Sequence, residues 1–112
     1  MVDKIHAHHF CGPLQSACEG FIAEKRSLGY TYDSEAKKLS EFSRFSLAYN
    51  VPTNVLTKEL VQEWIARRPT DSDRNQYARY SLISQLARYM NRVGYSAYVP
   101  ERTEIGKLHK TF

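Results

Sequence analysis

The chain has 112 residues, 42% hydrophobic and 25% charged, which is the make-up of one ordinary soluble domain with enough material for a real core. It contains no long apolar run and no signal-peptide pattern, which argues against a membrane-spanning or secreted role. A net charge of +4 and an isoelectric point of about 9.1 favour anionic partners, with nucleic acid the commonest of these.

Residues 1–12 are irregular and rich in histidine. Pro13 suits a first helical position, where its missing N–H would have no partner. Leu14, Ala17, Cys18, Phe21 and Ile22 then recur at spacings of three and four, which predicts an amphipathic helix stopped by Gly29. A second helix is expected from Thr31 or Asp33, either of which can cap it. Its apolar stripe is Tyr32, Ala36, Leu39, Phe42, Phe45 and Tyr49. Asn50 to Asn54 read as a loop. A shorter third helix, capped by Thr57, places Leu60, Val61, Trp64 and Ile65 inside and ends before Pro69. Thr70, Asp71 and Ser72 offer caps for the fourth and longest helix, which runs to about Val93 with Gly94 as its stop. Beyond Tyr95 the period is lost, and residues 100–112 read as a linker. Four amphipathic segments with no strand-like alternation predict an all-α bundle.

The fourth helix carries the strongest functional signal. Its outer face is expected to hold Arg74, Arg79, Ser81, Ser84, Gln85, Arg88 and Arg92, and no acidic residue occurs between Arg74 and Arg92. An ordinary solvated face would mix in carboxylates for intrahelical pairs. Arginine can grip a phosphate or a guanine edge in a bidentate way, and glutamine and serine reach base edges or phosphates. The second helix adds Lys37, Lys38 and Arg44, diluted by Glu35 and Glu41; taken alone this reads as a solvated face, and only together with the fourth helix as a second phosphate grip.

Other candidates are better read as structure. Of the eight tyrosines, Tyr32, Tyr49, Tyr80 and Tyr89 fall at core spacing, whereas Tyr77 is placed to touch a phosphate. His6, His8, His9 and Cys11 follow no zinc spacing, and Glu59 and Glu63 are explained by an exposed helix face. Cys11 and Cys18 do not make a disulfide framework; both are expected to be reduced in a cytoplasmic protein, with Cys18 in the core. No cofactor, metal or catalytic cluster is expected, and the chain reads as a non-enzyme.

Three segments, FIAEKRSLGYTYDSEAKKLSEFSRF, LTKELVQEWIARR and YSLISQLARYMNRVGYSAYVP, occur in this order and spacing. Together they resemble the N-terminal core-binding domain of tyrosine recombinases, the phage integrase family, over about residues 13–100. The resemblance implies a SAM-like four-helix bundle at 13–99 that clamps one face of duplex DNA, preceded by an irregular N-terminus at 1–12. It implies DNA contacts from Thr31, Lys37 and Lys38 around the second helix. On the fourth helix it implies contacts from Arg74, Tyr77, Arg79, Ser81, Ser84, Gln85 and Arg88. Ser84 departs from the family, where a basic residue is common.

The family cleaves DNA through a tyrosine supported by arginines, a lysine and a His-x-x-Arg motif in a separate catalytic domain. No histidine here has an arginine three residues on, and no tyrosine occupies a matching place. The expected role is therefore duplex DNA binding in DNA recombination and integration, with 100–112 a linker toward a missing catalytic domain. Other recombinase subunits are further expected partners; a membrane or a small-molecule substrate is not. The alternative is a helical protein–protein interaction module, distinguished by a complex that ignores salt.

Overall fold

The computed structural model describes residues 9–106, and these are mostly helical, as the sequence period predicts. The four α-helices among them are α1 (Gln15–Ser27), α2 (Asp33–Phe45), α3 (Lys58–Ile65) and α4 (Asp73–Arg92). They fall into two compact units, residues 1–55 and 56–112, where the sequence predicts one domain.

In the first unit, a 3-10 turn at Gly12–Leu14 carries Pro13 and leads into α1. Its apolar stripe is buried as predicted, at Ala17, Cys18, Phe21 and Ile22, and α1 packs on α2. Burial, and then the charge of Glu19, push the Cys18 thiol up to about 12, so the thiol is inert at neutral pH. Gly29 ends α1 as expected. It sits at φ +101°, its N–H donates to Arg26 O at 3.0 Å, and Tyr30 N–H reaches back to Lys25 O at 3.1 Å. That pair of bonds closes the last turn in the way a left-handed glycine permits.

The start of α2 differs from expectation. Neither Thr31 nor Asp33 caps it; Tyr32 takes the capping position in a left-handed conformation (φ +55°) without a side-chain bond. The Asp33 carboxylate is taken by Arg26 Nη2 at 3.2 Å, and the Thr31 carbonyl by Arg26 Nε at 2.9 Å. One guanidinium thus ties the loop that leads into the helix. Ala36, Leu39 and Phe42 are buried as predicted, and a lane of serines, Ser40, Ser43 and Ser46, is buried with them. Each hydroxyl finds a carbonyl: Ser43 donates to Ser40 O at 2.8 Å, Ser46 to Ser43 O at 2.7 Å, and Ser40 to His9 O. Satisfied in this way, the hydroxyls are tolerated inside.

The second unit opens at Leu56. Its carbonyl accepts from Tyr98 N–H at 2.9 Å, beside a two-residue ladder of β1 (Val55–Leu56) and β2 (Ser96–Ala97). Strands this short show no alternation, so nothing in the residue pattern marks them. Thr57 and Ser72 cap α3 and α4 as predicted, accepting from Leu60 N at 3.3 Å and Asn75 N at 3.1 Å. Leu60, Val61, Trp64 and Ile65 of α3 are buried, and so are Ile83, Leu86, Ala87 and Met90 of α4, and the two helices pack together.

The stretch read as a linker is anchored as far as it is described. Pro100 is buried, and a 3-10 turn at Arg102–Gly106 follows. The Glu104 carboxylate accepts from Tyr98 Oη at 2.6 Å, Gln62 Nε2 at 2.9 Å and Glu101 N at 2.6 Å. Gln76 Nε2 donates to Ile105 O at 3.3 Å. The bonds from Gln62 and Gln76 are long-range and side-chain-mediated, and residue periodicity carries no trace of them. Residues 107–112 of that expected linker, and 1–8 of the expected N-terminus, lie outside the described residues.

Candidate nucleic-acid interface

An α-helix advances about 100° per residue, so Arg74, Tyr77, Ser81, Gln85, Arg88 and Arg92 all lie within about 60° of one line along α4. The structure leaves this line open: Arg74, Tyr77, Arg88 and Arg92 are exposed, and Ser81 and Gln85 are half-buried. At about 1.5 Å per residue the row from Arg74 to Arg92 is about 27 Å long. Gln85 Nε2 donates to Ser81 Oγ at 3.4 Å, and the Arg92 guanidinium lies over the Tyr89 ring at 5.4 Å.

Two residues expected on this face are not on it. Arg79 is only 7% exposed and works as an internal brace. Its Nε donates to Trp64 O at 2.9 Å, its Nη2 to Ala66 O at 3.0 Å and its Nη1 to Asp71 Oδ1 at 2.9 Å. Gln76 Nε2 takes Ile65 O between them at 2.9 Å. The last carbonyls of a helix have no partner within it, and here side chains from α4 supply the donors at the end of α3. The Arg79 guanidinium bonded to Asp71 holds that carboxyl down at about 2, against the upward push of burial. Ser84 is 2% exposed, and its hydroxyl is buried without a hydrogen-bond partner. Both positions turn away from the Arg74 line, Arg79 by about 140° and Ser84 by about 80°.

The register offered a warning about Arg79. Arg79, Ile83, Leu86 and Met90 follow at four, three and four residues, so the arginine stands in the apolar row.

No family profile, curated protein or solved structure matches the chain. The interface therefore stands on its own geometry and charge. Residues 1–55 hold six basic and six acidic side chains, whereas residues 56–112 hold ten and six. The excess positive charge of the whole chain thus belongs to the half that carries α4.

The remaining predicted residues, Thr31, Lys37 and Lys38, are exposed on the first unit. Glu41 follows the two lysines on α2, and Arg44 Nη1 is engaged by Ser40 Oγ at 2.9 Å, so this face is mixed in charge. Sequence reasoning assigned no role to Arg67 and Arg102. Both line a cavity of about 610 Å³ beside Arg74 and Tyr77. Arg102 was placed in the linker, and only the anchored turn returns it to α4.

His9 is exposed and Cys11 half-buried near Ser43, while His6 and His8 lie outside the described residues. Among the described residues no three His, Cys, Asp or Glu side chains gather to hold a metal. Nor is any helix there long and apolar enough to cross a membrane.

Proposed function

We propose that this chain binds duplex DNA, as the core-binding half of a tyrosine recombinase, with α4 as its main contact. The observation that carries the proposal is the acid-free, exposed row of Arg74, Arg88 and Arg92 with Ser81 and Gln85 between them. Guanidiniums spaced along one helix face meet successive phosphates, and the amide and hydroxyl between them reach base edges or further phosphate oxygens. Tyr77, 44% exposed, adds a hydroxyl donor near the N-terminal end of the row. Thr31, Lys37 and Lys38 supply a weaker, charge-diluted grip. In this reading the SAM-like bundle of that family is the fold, the compartment is the cytoplasm, and the strand-exchange chemistry belongs to another domain.

The test is a fluorescence-anisotropy titration with mixed-sequence duplex DNA at rising salt. Three arginines neutralising three phosphates give a log–log slope of about −2.7, a loss of about 40-fold between 50 and 200 mM salt. Affinity at physiological salt should be micromolar, as for phosphate-dominated contacts. A slope near zero, or no binding at low salt, rejects the reading. A second reading, a helical protein–protein interaction module, is favoured by the exposed Leu28 and Tyr30 at the end of α1. A protein complex that survives high salt, with no DNA binding, would select it.

A further inference from the structure

The cavity at the first turn of α4 has a composition that the duplex-binding row does not explain. Three guanidiniums, from Arg67, Arg74 and Arg102, line a space of about 610 Å³. One carboxylate, Asp73, lines it too, and is ion-paired to Arg67 Nη2. The lining therefore carries two positive charges in excess. The Arg102 guanidinium lies over the Tyr77 ring, its carbon 5.3 Å from the ring centre. A cation–π contact of this kind uses the charge of a guanidinium and none of its hydrogen-bonding capacity for an oxygen acceptor. Arg67 Nη1 also donates to Asp71 O at 3.3 Å, while its Nε is buried with no partner. Ile105 and the Tyr77 ring supply apolar wall. The turn that carries Arg102 and Ile105 is held by Glu104 and Gln76, so the far wall is fixed rather than left to a loose tail.

Charge and size select the ligand. A phosphate monoester carries about −1.5 to −2 at neutral pH, which matches the excess, whereas a backbone diester carries a single charge. Forked guanidiniums are the side chains best suited to such an oxyanion. A bare ion would occupy a small part of the space, which falls within the range of about 300–1,000 Å³ typical of small-molecule sites. We propose that this cavity binds the terminal phosphate monoester of a nucleotide, with Arg74 and Arg102 gripping the phosphate and Tyr77 and Ile105 flanking the base. The source is either a free nucleotide or the 5′-phosphorylated end of a DNA strand.

The experiment titrates the 112-residue protein with deoxyadenosine 5′-monophosphate, deoxyadenosine and inorganic phosphate at constant low salt, followed by amide NMR shifts. The monophosphate should bind at least tenfold more tightly than either fragment, with shifts gathered at residues 74–77 and 102–105. Arg74→Ala and Arg102→Ala should each weaken it about tenfold. Arg102→Ala changes an exposed residue outside the helices, so it carries the test if Arg74→Ala fails to fold. Equal binding of all three probes, no monophosphate binding at millimolar concentration, or unchanged affinity in Arg102→Ala would overturn the proposal.

A competing oligonucleotide separates the sources. Displacement by a 5′-phosphorylated strand but not by its unphosphorylated twin identifies a strand end. Displacement by neither identifies a free nucleotide. Equal displacement by both overturns the site, because the cavity is then only part of a general backbone surface. The proposal shares Arg74 and Tyr77 with the α4 row but does not depend on it. Loss of monophosphate binding with duplex binding intact rejects the cavity alone, and the reverse rejects the duplex reading alone.

Discussion

The two units of this chain are similar in helix content and opposite in how they use charge. In the first, six basic side chains face six acidic ones, and the interior polar groups are neutral serines that bond to backbone carbonyls. In the second, ten basic side chains stand against six acidic ones, and two of those six are ion-paired within the unit. Asp71 is held by Arg79, and Asp73 by Arg67. The acids best placed to neutralise α4 are therefore bonded to other arginines, and Arg74 and Arg88 remain exposed. A net charge of +4 spread evenly would say little about function. The same charge falls on one half of the sequence, and three arginines of that half share one exposed helix face, which defines a surface for an anion.

The sharpest way to break this comparison is to treat two arginines of the same helix as equivalent. Arg79→Ala strands the Asp71 carboxylate and the Trp64 and Ala66 carbonyls, and should cost about 3–5 kcal/mol in thermal unfolding followed by circular dichroism. Arg88→Ala should stay within about 0.5 kcal/mol of wild type. Similar losses in both would end the distinction between brace and contact.

Next in size is the acid limb. Folding holds the Asp71 carboxyl at about 2, below its ordinary value of 3.8. Its contribution, about 2 kcal/mol, is therefore present above about pH 4 and is lost as the pH falls through about 2. Urea midpoints measured from pH 5 to pH 2 should decline in wild type. In Asp71→Asn they should start lower and decline less. Parallel declines would mean that other carboxyls set the acid stability.

The smallest expected effect concerns DNA. Arg88→Ala should weaken duplex binding several-fold and reduce the salt slope by about one. Lys37→Ala combined with Lys38→Ala should do less, because Glu41 already offsets that face. The opposite order would move the interface to the first unit.

Much of the helical plan was legible because it is local. A stripe at spacings of three and four, a threonine or serine whose hydroxyl caps the first turn, and a glycine at φ +101° that closes the last are each set by neighbours within about five residues. The acid-free row on α4 was equally readable, since helix geometry fixes which side chains share a face. What failed to show were the long-range partners. Arg79 and Arg88 are the same residue type on the same helix, and Arg79 is internal because two carbonyls at the end of α3 and the Asp71 carboxylate meet it there. Arg102 reads as linker until Glu104 and Gln76 tie its turn to the second unit and place it over Tyr77. By itself, then, the sequence determined the four helices, the caps of α3 and α4, the glycine stop of α1 and the exposed part of the candidate row. Only the tertiary structure decided which charged groups are spent inside the fold and which remain free to meet a partner, because a guanidinium's fate depends on the oxygens brought within about 3 Å of it.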